Sequence, residues 1–442
     1  MTANITANKV HDTLGKHILA DGLPVVIDLE KSKGSTIIDG VTGKSYLDMF
    51  SMFASMAIGY NHPALVEKKN RLVSAAVNKP TLSDIYSREY AEFVAIFGEV
   101  GIPDYLPHAF FIEGGGLAVE NALKAAFDWK VRKNMAAGRG EQGSKVIHFE
   151  KCFHGRTGYT MSMTDSPDPR KTLYFPKFDW PRVSHPSLSY PLTDKSLADV
   201  KAAESKSIEQ IKKAITDNPH EIAAMIIEPI QGEGGDNHIR PEFARQLRQI
   251  CDQEEIILIY DEVQTGVGIT GTFWAHEQFG PDARPDVLAF GKKSQVCGIL
   301  ASKRFDEVEN NVFNESSRIN STWGGNLVDM VRFGMILEVI KDENLLDNAT
   351  TQGKYLVDRL EQLQVEFPGF VTNARGKGLF AAFDLPSGTV RDAVLAALFD
   401  NGAIVLGCGL KSIRFRPHLN VTRDTLDQLY EVLVKSVRSC LS

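Results

Sequence analysis

Two short apolar runs in this chain end in side chains suited to amine chemistry. Ile256–Tyr260 is followed by Asp261, and Val287–Phe290 is followed after one glycine by Lys292 and Lys293. Pyridoxal phosphate (PLP) chemistry requires an amine that binds the cofactor aldehyde and a carboxylate that keeps the pyridine nitrogen protonated. The alternative is a purely structural role, in which the charged residues end a buried strand and are exposed to water. This is the commoner role of any single Asp or Lys. The pairing of the two strand ends favours a PLP site.

Length and composition limit the classes of protein to which this chain can belong. At 442 residues the chain exceeds what one hydrophobic core usually holds, so we expect two or three domains. It is 43% hydrophobic and 24% charged, with a formal net charge of −7, which is typical of a soluble globular protein. This charge gives no support to nucleic-acid or membrane-surface binding. No apolar run approaches the roughly 20 residues needed to span a bilayer, and the N-terminus lacks the features of a signal peptide.

The five cysteines are odd in number, scattered along the chain and without a Cys-x-x-Cys pair. They are Cys152, Cys251, Cys297, Cys408 and Cys440. Such a distribution is typical of free thiols in a reducing cytosol and not of a disulfide framework or a zinc site. We therefore expect a cytoplasmic protein without a bound metal.

Apolar runs of strand length alternate with helical stretches. The runs are Ala109–Ile112, Val146–Phe149, Ala223–Ile227, Ile256–Tyr260, Val287–Phe290 and Ile299–Ser302. Amphipathic segments such as Leu117–Met135 and Pro241–Glu254 separate them. Continuous apolar runs indicate strands buried on both faces, which predicts an α/β domain with a mostly parallel sheet. Ligands of such sheets bind beyond the carboxyl ends of the strands, where the polar motifs of this chain begin.

Several of these motifs resemble those of the class III, fold-type I, PLP-dependent aminotransferases. General family features are Phe153–Gly155, Glu228–Gly235, Asp261–Gly266 and a lysine after a strand. Features similar to the lysine 6-transaminases within this family are Glu113–Lys124, Gly291–Gly298 and Asn320–Asn326. The resemblance runs from about Ala20 to the C-terminus. Several long matches in the same order make chance an unsatisfactory explanation.

The resemblance implies PLP-dependent transferase fold type I. The expected α/β fold has a large domain with a mostly parallel seven-stranded sheet and a smaller α+β domain. We assign residues 71–326 to the large domain and 327–442 to the small domain, which begins with a long helix over Val328–Ile340. Residues 1–70 are expected to form an N-terminal segment that contributes to the small domain.

The glycines before the first long helix are expected to hold the phosphate of the cofactor. They lie between a strand and a helix, where backbone N–H groups can approach an anion. A short glycine cluster is weak by itself, and it is the resemblance that places the phosphate at Gly115 and Gly116. It also implies that Phe153 stacks on the cofactor ring. For His154, beside it, a supporting hydrogen bond is the expected role.

The resemblance assigns the remaining contacts of the ring. Asp261 is expected to face the pyridine nitrogen, and Gln264 to reach the ring hydroxyl oxygen and the substrate. Either lysine of the pair has the chemistry to bind the aldehyde, and the family pattern selects Lys292 over Lys293. Lys292 and Asp261 are thus the expected catalytic residues.

A glycine-rich loop precedes the predicted long helix. In fold-type I enzymes this loop crosses a dimer interface, and its hydroxyl binds the phosphate of the neighbouring subunit's cofactor. Thr322 matches that hydroxyl, with Ser321 beside it, and Asn320 is assigned to the substrate. The resemblance therefore implies a homodimer whose active sites are shared.

Two arginines and one glutamate are the expected carboxylate-handling residues. Arg156 matches the residue that binds the α-carboxylate of lysine, and Arg414 matches the one that binds the α-carboxylate of 2-oxoglutarate. A guanidinium suits a bidentate carboxylate. Glu233 matches a glutamate that masks this second arginine when an ω-amine is the donor. The alternative for Glu233 is a solvated loop carboxylate.

The resemblance implies a PLP-dependent enzyme that moves the ε-amino group of L-lysine to 2-oxoglutarate. The products would be 2-aminoadipate 6-semialdehyde and L-glutamate. The nearest alternative is another class III ω-aminotransferase acting on ornithine or 4-aminobutyrate, since the shape of the pocket near Met49, Phe50 and Phe53 sets the chain length. A PLP-dependent mutase or decarboxylase is disfavoured by Arg414, and a non-catalytic binding protein by the retained Lys292.

Overall fold

The computed structural model describes residues 5–441. Its strands, in chain order, are β1 Thr36–Ile38, β2 Ser45–Asp48, β3 His108–Ile112, β4 Lys145–Phe149, β5 Arg182–Val183, β6 Ile222–Ile227, β7 Ile230–Gln231, β8 Asn237–His238, β9 Ile257–Asp261, β10 Val287–Phe290, β11 Cys297–Ala301, β12 Thr372–Lys377, β13 Phe380–Asp384, β14 Ala403–Ile404, β15 Leu406–Cys408 and β16 Ser412–Phe415. The α-helices are α1 Val10–Leu14, α2 Ser51–Ala54, α3 Pro63–Glu67, α4 Lys69–Asn78, α5 Arg88–Val100, α6 Gly115–Ala136, α7 Gly158–Met163, α8 Asp194–Asp217, α9 Pro241–Gln253, α10 Leu327–Asp342, α11 Leu345–Glu366, α12 Gly388–Asp400 and α13 Arg423–Ser439. Among these helices there is none with the length and apolar character to cross a bilayer.

A seven-stranded sheet organises the first two thirds of the molecule. Its strand order is β3–β11–β10–β9–β6–β4–β5. Strand β11 pairs antiparallel with both of its neighbours, whereas β10, β9, β6, β4 and β5 pair parallel in succession. The predicted seven-stranded, mostly parallel sheet is therefore confirmed.

Both faces of this sheet are buried, which explains the continuous apolar runs. In β9, Ile257 and Ile259 pack in the cluster that contains the apolar face of α6. Leu258 and Tyr260 pack in the cluster that contains α9 on the opposite face. Successive side chains of a strand alternate between faces, so a strand covered by helices on both sides has no polar face.

Helix α6 begins at the carboxyl end of β3 and covers one face of the sheet. Its N-cap, Gly114, has a φ of 94°, a conformation that glycine adopts without strain. The buried side of the helix includes Ala118, Ala122, Ala125 and Ala126, whose small side chains permit close packing on the strands. The start of α6 is thereby fixed at the edge of the sheet.

The C-terminal part of the chain forms two smaller sheets. One is the antiparallel sheet β12–β13–β16–β15, and the other joins β1 and β2 to β14. Strand β2 pairs parallel with β14, so the N-terminal strands are integrated with the C-terminal region. This pairing agrees with a contribution of the N-terminal segment to the small domain, while the domain boundaries themselves stay a prediction. Strand β16 carries Arg414 in register with Ala382 of β13.

Candidate active site

The carboxyl ends of the parallel strands gather the chemically active side chains at one edge of the large sheet. Strands β4, β6, β9 and β10 run in one direction, and β3 shares it because it pairs antiparallel with the reversed strand β11. A cavity of about 220 Å³ lies beyond these ends. Its lining residues are Gly115, Gly116, Phe153, His154, Gly155, Glu228, Asp261, Val263, Gln264 and Lys292. This position is where an open α/β sheet binds ligands.

Asp261, the last residue of β9, is held in a fixed orientation. Its Oδ1 accepts a hydrogen bond from the backbone nitrogen of Val263 at 3.0 Å, and its Oδ2 lies 2.7 Å from Nδ1 of His154. Burial lowers the pKa of His154, whereas Cys152 and the hydrogen bond to Asp261 raise it, and the net pKa is well above the usual range. The imidazole is therefore a cation placed against the carboxyl group of Asp261.

The two neighbouring lysines point in different directions. Lys292, with a left-handed φ of 55°, lies in the wall of the cavity. Burial, followed by repulsion from Arg414, lowers its pKa. Lys293 is buried and donates from Nζ to the backbone oxygen of Gln264 at 3.0 Å. Of the two amines, the one that faces the cavity belongs to Lys292.

Gln264 is oriented by two arginines. Its Oε1 accepts from Nε of Arg416 at 3.0 Å and lies 3.5 Å from Nη1 of Arg414. Arg416 is otherwise paired with buried Asp236, at 2.6 Å and 2.9 Å for its two terminal nitrogens. The amide oxygen of Gln264 is therefore already hydrogen-bonded, and its NH2 group remains available as a donor.

Glu233 lies against Arg414. Its Oε2 is 3.4 Å from Nη2 of Arg414, while its Oε1 forms an ion pair with Lys171. The arginine is nearly buried, with 6% of its side chain exposed, and its Nε has no hydrogen-bond partner within residues 5–441. A guanidinium with a spare donor and a single weak carboxylate contact is suited to an exchange of carboxylate partners.

Comparisons with known proteins agree with this geometry. Residues 19–437 match the family model described as aminotransferase class-III. The chain belongs to the class III aminotransferases. It is 49% identical to the L-lysine-epsilon aminotransferase of Mycobacterium tuberculosis over 99% of this chain and 96% of the relative. It is 34% identical to the human mitochondrial 4-aminobutyrate aminotransferase, over 92% of this chain and 83% of the relative.

A solved structure of a relative has the same fold. The lysine aminotransferase from M. tuberculosis in the internal aldimine form superposes with a TM-score of 0.95 and 49% sequence identity, and the match covers 99% of each chain. Class III aminotransferases are PLP-dependent, and this protein is a PLP-dependent aminotransferase. The predicted family, fold type, enzyme class and cofactor are confirmed.

The residues of the cavity fit the cofactor of the class III family. A Cβ atom on Gly115 would lie 2.8 Å from Val263 Cγ1, and one on Gly116 would lie 3.3 Å from Thr157 Cγ2. Because these positions lack side chains, the start of the 22-residue helix α6 approaches the cavity with its backbone amides free to bind phosphate. The cavity also has a buried carboxylate suited to the pyridine nitrogen of PLP and an amine suited to its aldehyde. The Phe153 ring is suited to the face of the PLP ring.

Other predicted site residues lie outside the cavity of the single chain. Asn320 and Thr322 are exposed, and Ser321 is half-buried. The Asn320 Oδ1 accepts from the Ser321 nitrogen at 2.7 Å, and the Thr322 backbone oxygen accepts from Ser83 at 3.3 Å. Arg156 is exposed in the segment that follows Gly155. It therefore stays a prediction that the loop of residues 320–322 contributes to the active site of a neighbouring subunit.

Glu228 is a residue of the site to which sequence reasoning gave no role. It follows β6, and its oxygens accept from the backbone nitrogens of Phe153 at 2.9 Å and Gly232 at 3.0 Å. The pKa of Glu228 is raised to about 7, mainly by burial; the charge of His154 opposes this shift and the negative charge of Asp261 adds to it. Its place at a strand end, inside the motif Glu228–Gly235, is the signal that identifies it.

A larger open depression, of about 1090 Å³, lies between α6 and the segment 307–318. Several of its charged side chains pair with one another; Asp128, for example, binds both Arg132 and Arg318. Of the residues described as lining it, none is a predicted site residue. The smaller cavity at the sheet edge is therefore the candidate active site.

Proposed function

We propose that this aminotransferase moves the ε-amino group of L-lysine to 2-oxoglutarate and releases 2-aminoadipate 6-semialdehyde and L-glutamate. Sequence identity supports lysine as the amino donor, since the chain is 49% identical to L-lysine-epsilon aminotransferases and 34% identical to a 4-aminobutyrate aminotransferase. The structural observation that carries the proposal is the contact of Glu233 with Arg414 at 3.4 Å.

This contact fits a donor that reacts through a terminal amine. Lysine presents its ε-carbon to the site, so no carboxylate lies next to the reacting carbon and Arg414 would face an alkyl chain. Leaving a nearly buried guanidinium unpaired is costly, and Glu233 offsets that cost. For 2-oxoglutarate, whose α-carboxylate adjoins the reacting carbon, Glu233 has to move aside so that Arg414 binds the acceptor.

The remaining carboxylate of lysine lies a chain length away from the reacting carbon. Arg156, exposed and next in sequence to the cavity-lining Gly155, is the proposed partner of that α-carboxylate. Asn320 is the proposed polar contact of the substrate from the glycine-rich loop. A donor carboxylate bound at the mouth and an amine in the cavity together specify the length of the substrate.

The cofactor, when bound, supplies an aldehyde that takes up the amino group and a ring that accepts electrons. Asp261, held by His154, would keep the ring nitrogen protonated, and Gln264 would donate to the ring oxygen. The amides of Gly115 and Gly116 would hold the phosphate, and Phe153 would cover one face of the ring. These residues would together fix the orientation of the ring.

Lys292 is the proposed proton carrier. With the cofactor bound, the Lys292 amine would be placed to carry a proton to and from the substrate carbon that bears the amino group. Its lowered pKa increases the neutral fraction that acts as the base. Lys293 cannot serve in this orientation because its Nζ donates to the Gln264 carbonyl.

We further propose that the enzyme is a cytosolic homodimer. The described cysteines are all free thiols, which suits a reducing compartment. Thr322 and Ser321 carry hydroxyls suited to phosphate but lie outside the cavity of their own chain, so a second subunit is needed to bring them to a cofactor. Each active site would then draw residues from two chains.

A panel of amino donors tests the function. The holoenzyme is offered L-lysine, L-ornithine or 4-aminobutyrate with 2-oxoglutarate, and the semialdehyde and glutamate are both measured. We expect lysine to have the highest kcat/KM. A higher value for ornithine or 4-aminobutyrate would assign the enzyme to another donor within the same family.

A further inference from the structure

One carboxylate in the active site is shared by two cations. Glu233 Oε2 lies 3.4 Å from Arg414 Nη2, and Glu233 Oε1 is paired with Nζ of Lys171. Ser166 Oγ is 3.5 Å from the same Oε1. Lys171 and Glu233 are each about one quarter exposed, whereas Arg414 is nearly buried. The carboxylate thus bridges a deep cation and a shallower one.

Lys171 lies beside a residue that lines the cavity, although it belongs to a separate segment of the chain. It ends a short 3-10 turn, Pro169–Lys171, in the proline-rich segment after α7. Its Nζ lies 5.6 Å from the ring centroid of Phe153, which lines the cavity. The same ammonium group therefore contacts a wall of the cavity and the carboxylate that covers Arg414.

Exchange of substrates requires Glu233 to lose one of these two partners. When the α-carboxylate of the acceptor binds Arg414, Glu233 is displaced by a group of its own charge. A displaced carboxylate without a cation would remain unpaired in a partly buried site, close to a dianionic ligand. Because Lys171 already contacts the opposite oxygen, Glu233 can rotate towards it without losing all of its pairing.

We propose that Lys171 is a positioning residue for the acceptor half of the reaction, which it serves by retaining Glu233 while Arg414 binds the dicarboxylate. This inference rests on the proposed function, in which 2-oxoglutarate is the acceptor. Lys171 acts through Glu233 and not by contact with the reacting atoms. Its charge lowers the free-energy difference between the masked and the open state of Arg414.

The test uses the holoenzyme reconstituted with pyridoxamine phosphate, so that the acceptor half is measured without any amino donor. Lys171→Met removes the charge and keeps the chain length, Lys171→Arg keeps the charge, and Lys177→Met removes an exposed lysine from the same segment. We expect Lys171→Met to raise the half-saturating 2-oxoglutarate concentration about tenfold, with a maximal rate within about twofold of wild type. Lys171→Arg should restore most of the affinity, and Lys177→Met should match the wild type.

A non-reacting ligand gives a second readout. The dissociation constant of glutarate, measured by calorimetry on the same proteins, should rise about tenfold in Lys171→Met. In a Glu233→Gln background, Lys171→Met should have no additional effect on either ligand, because the neutral amide no longer needs a cation. An effect that persists there would show that Lys171 binds the dicarboxylate directly, and would overturn the proposal.

Failure of this inference is distinguishable from failure of the proposed function. An unchanged half-saturation in Lys171→Met, with a wild type that reacts normally with 2-oxoglutarate, would refute the role of Lys171 alone. A loss of maximal rate not rescued by Lys171→Arg would indicate a structural role and would refute it as well. A wild type that accepts 2-oxoglutarate but not lysine would refute only the donor, and a wild type inert to 2-oxoglutarate would refute both proposals.

Discussion

Nδ1 of His154 lies 2.7 Å from Oδ2 of Asp261, and both side chains are almost completely buried. The pair joins the segment after β4 to the end of β9. Because the imidazole holds one oxygen and a backbone amide holds the other, the carboxylate cannot rotate freely. A charged Asp261 in a fixed orientation is what an electron-accepting pyridine ring needs from the protein.

Replacing this carboxylate should weaken the ring as an electron acceptor. Asp261→Asn keeps the shape but removes the charge that retains the ring proton, so proton removal from the substrate should slow by more than about tenfold, or about 1.4 kcal/mol on the barrier. Stopped-flow absorbance of the lysine half-reaction measures this step, and cofactor content is measured in parallel. A rate within tenfold of the wild type would contradict the proposed role.

The opposed directions of Lys292 and Lys293 predict opposite results for two matched substitutions. Lys292→Met should abolish turnover and the covalent attachment of the cofactor, detected by borohydride reduction and mass spectrometry of peptides. Lys293→Met should retain both, although loss of its bond to the Gln264 carbonyl should lower the free energy of unfolding by about 1 kcal/mol. The reverse pattern would identify Lys293 as the attachment site.

The two arginines should separate the half-reactions. Arg156→Gln should slow the reaction with lysine, and Arg414→Gln should cripple the reaction with 2-oxoglutarate. Each loss is expected to be roughly 2–5 kcal/mol, because a charge-assisted contact disappears and a carboxylate is left unpaired. Single-turnover experiments on each half measure both effects. Equal impairment of both halves by Arg414→Gln would indicate that Arg414 is structural and that its masking by Glu233 is unnecessary.

A shared active site predicts complementation between two variants that are each impaired. Thr322→Ala should weaken PLP binding, and Lys292→Ala should abolish turnover. In a mixed dimer, one of the two sites would contain both unmutated residues, so mixing should restore part of the wild-type rate. The measurement is the rate of tagged, purified heterodimers. A rate equal to the mean of the two parents would show that the loop does not cross between subunits.

Glu228 should make stability depend on pH in a defined direction. Its pKa is raised from its ordinary 4.5 to about 7, so the folded protein keeps a proton that the unfolded chain has lost. The contribution is complete below pH 4.5 and is lost as the pH rises towards 7, with about 2 kcal/mol of the change between pH 5 and pH 7.

Glu228→Gln should remove that slope. Urea unfolding of the cofactor-free protein, at fixed protein concentration, gives the free energy of unfolding at each pH for the wild type and the variant. The stability of the wild type relative to the variant should fall by about 2 kcal/mol from pH 5 to pH 7, because only the wild type has a titrating group at this position. The exposed Glu309→Gln serves as a control and should keep the wild-type slope. A pH-independent difference for Glu228→Gln would mean that the carboxyl group does not bind a proton in the folded state.

The local pattern of apolar residues was sufficient to predict much of the fold. The runs Ala223–Ile227 and Val287–Phe290 are apolar at every position, which only a strand covered on both faces tolerates. The carboxyl ends of parallel strands meet at one edge of the sheet, so the sequence alone places Asp261 and Lys292 near each other. The motif resemblance supplied the family and the cofactor.

Tertiary structure decided the rest, because those features depend on contacts between distant segments. The left-handed backbone conformation of Lys292 separates its amine from that of Lys293. No residue propensity in the sequence predicts this conformation. The elevated pKa of Glu228 arises from burial, which the packing of the other strands determines. The pairing of Lys171 with Glu233 brings a proline-rich loop onto a residue of another motif. Sequence thus determined which groups are present at the sheet edge, and packing determined which of them face the cavity and which charges they share.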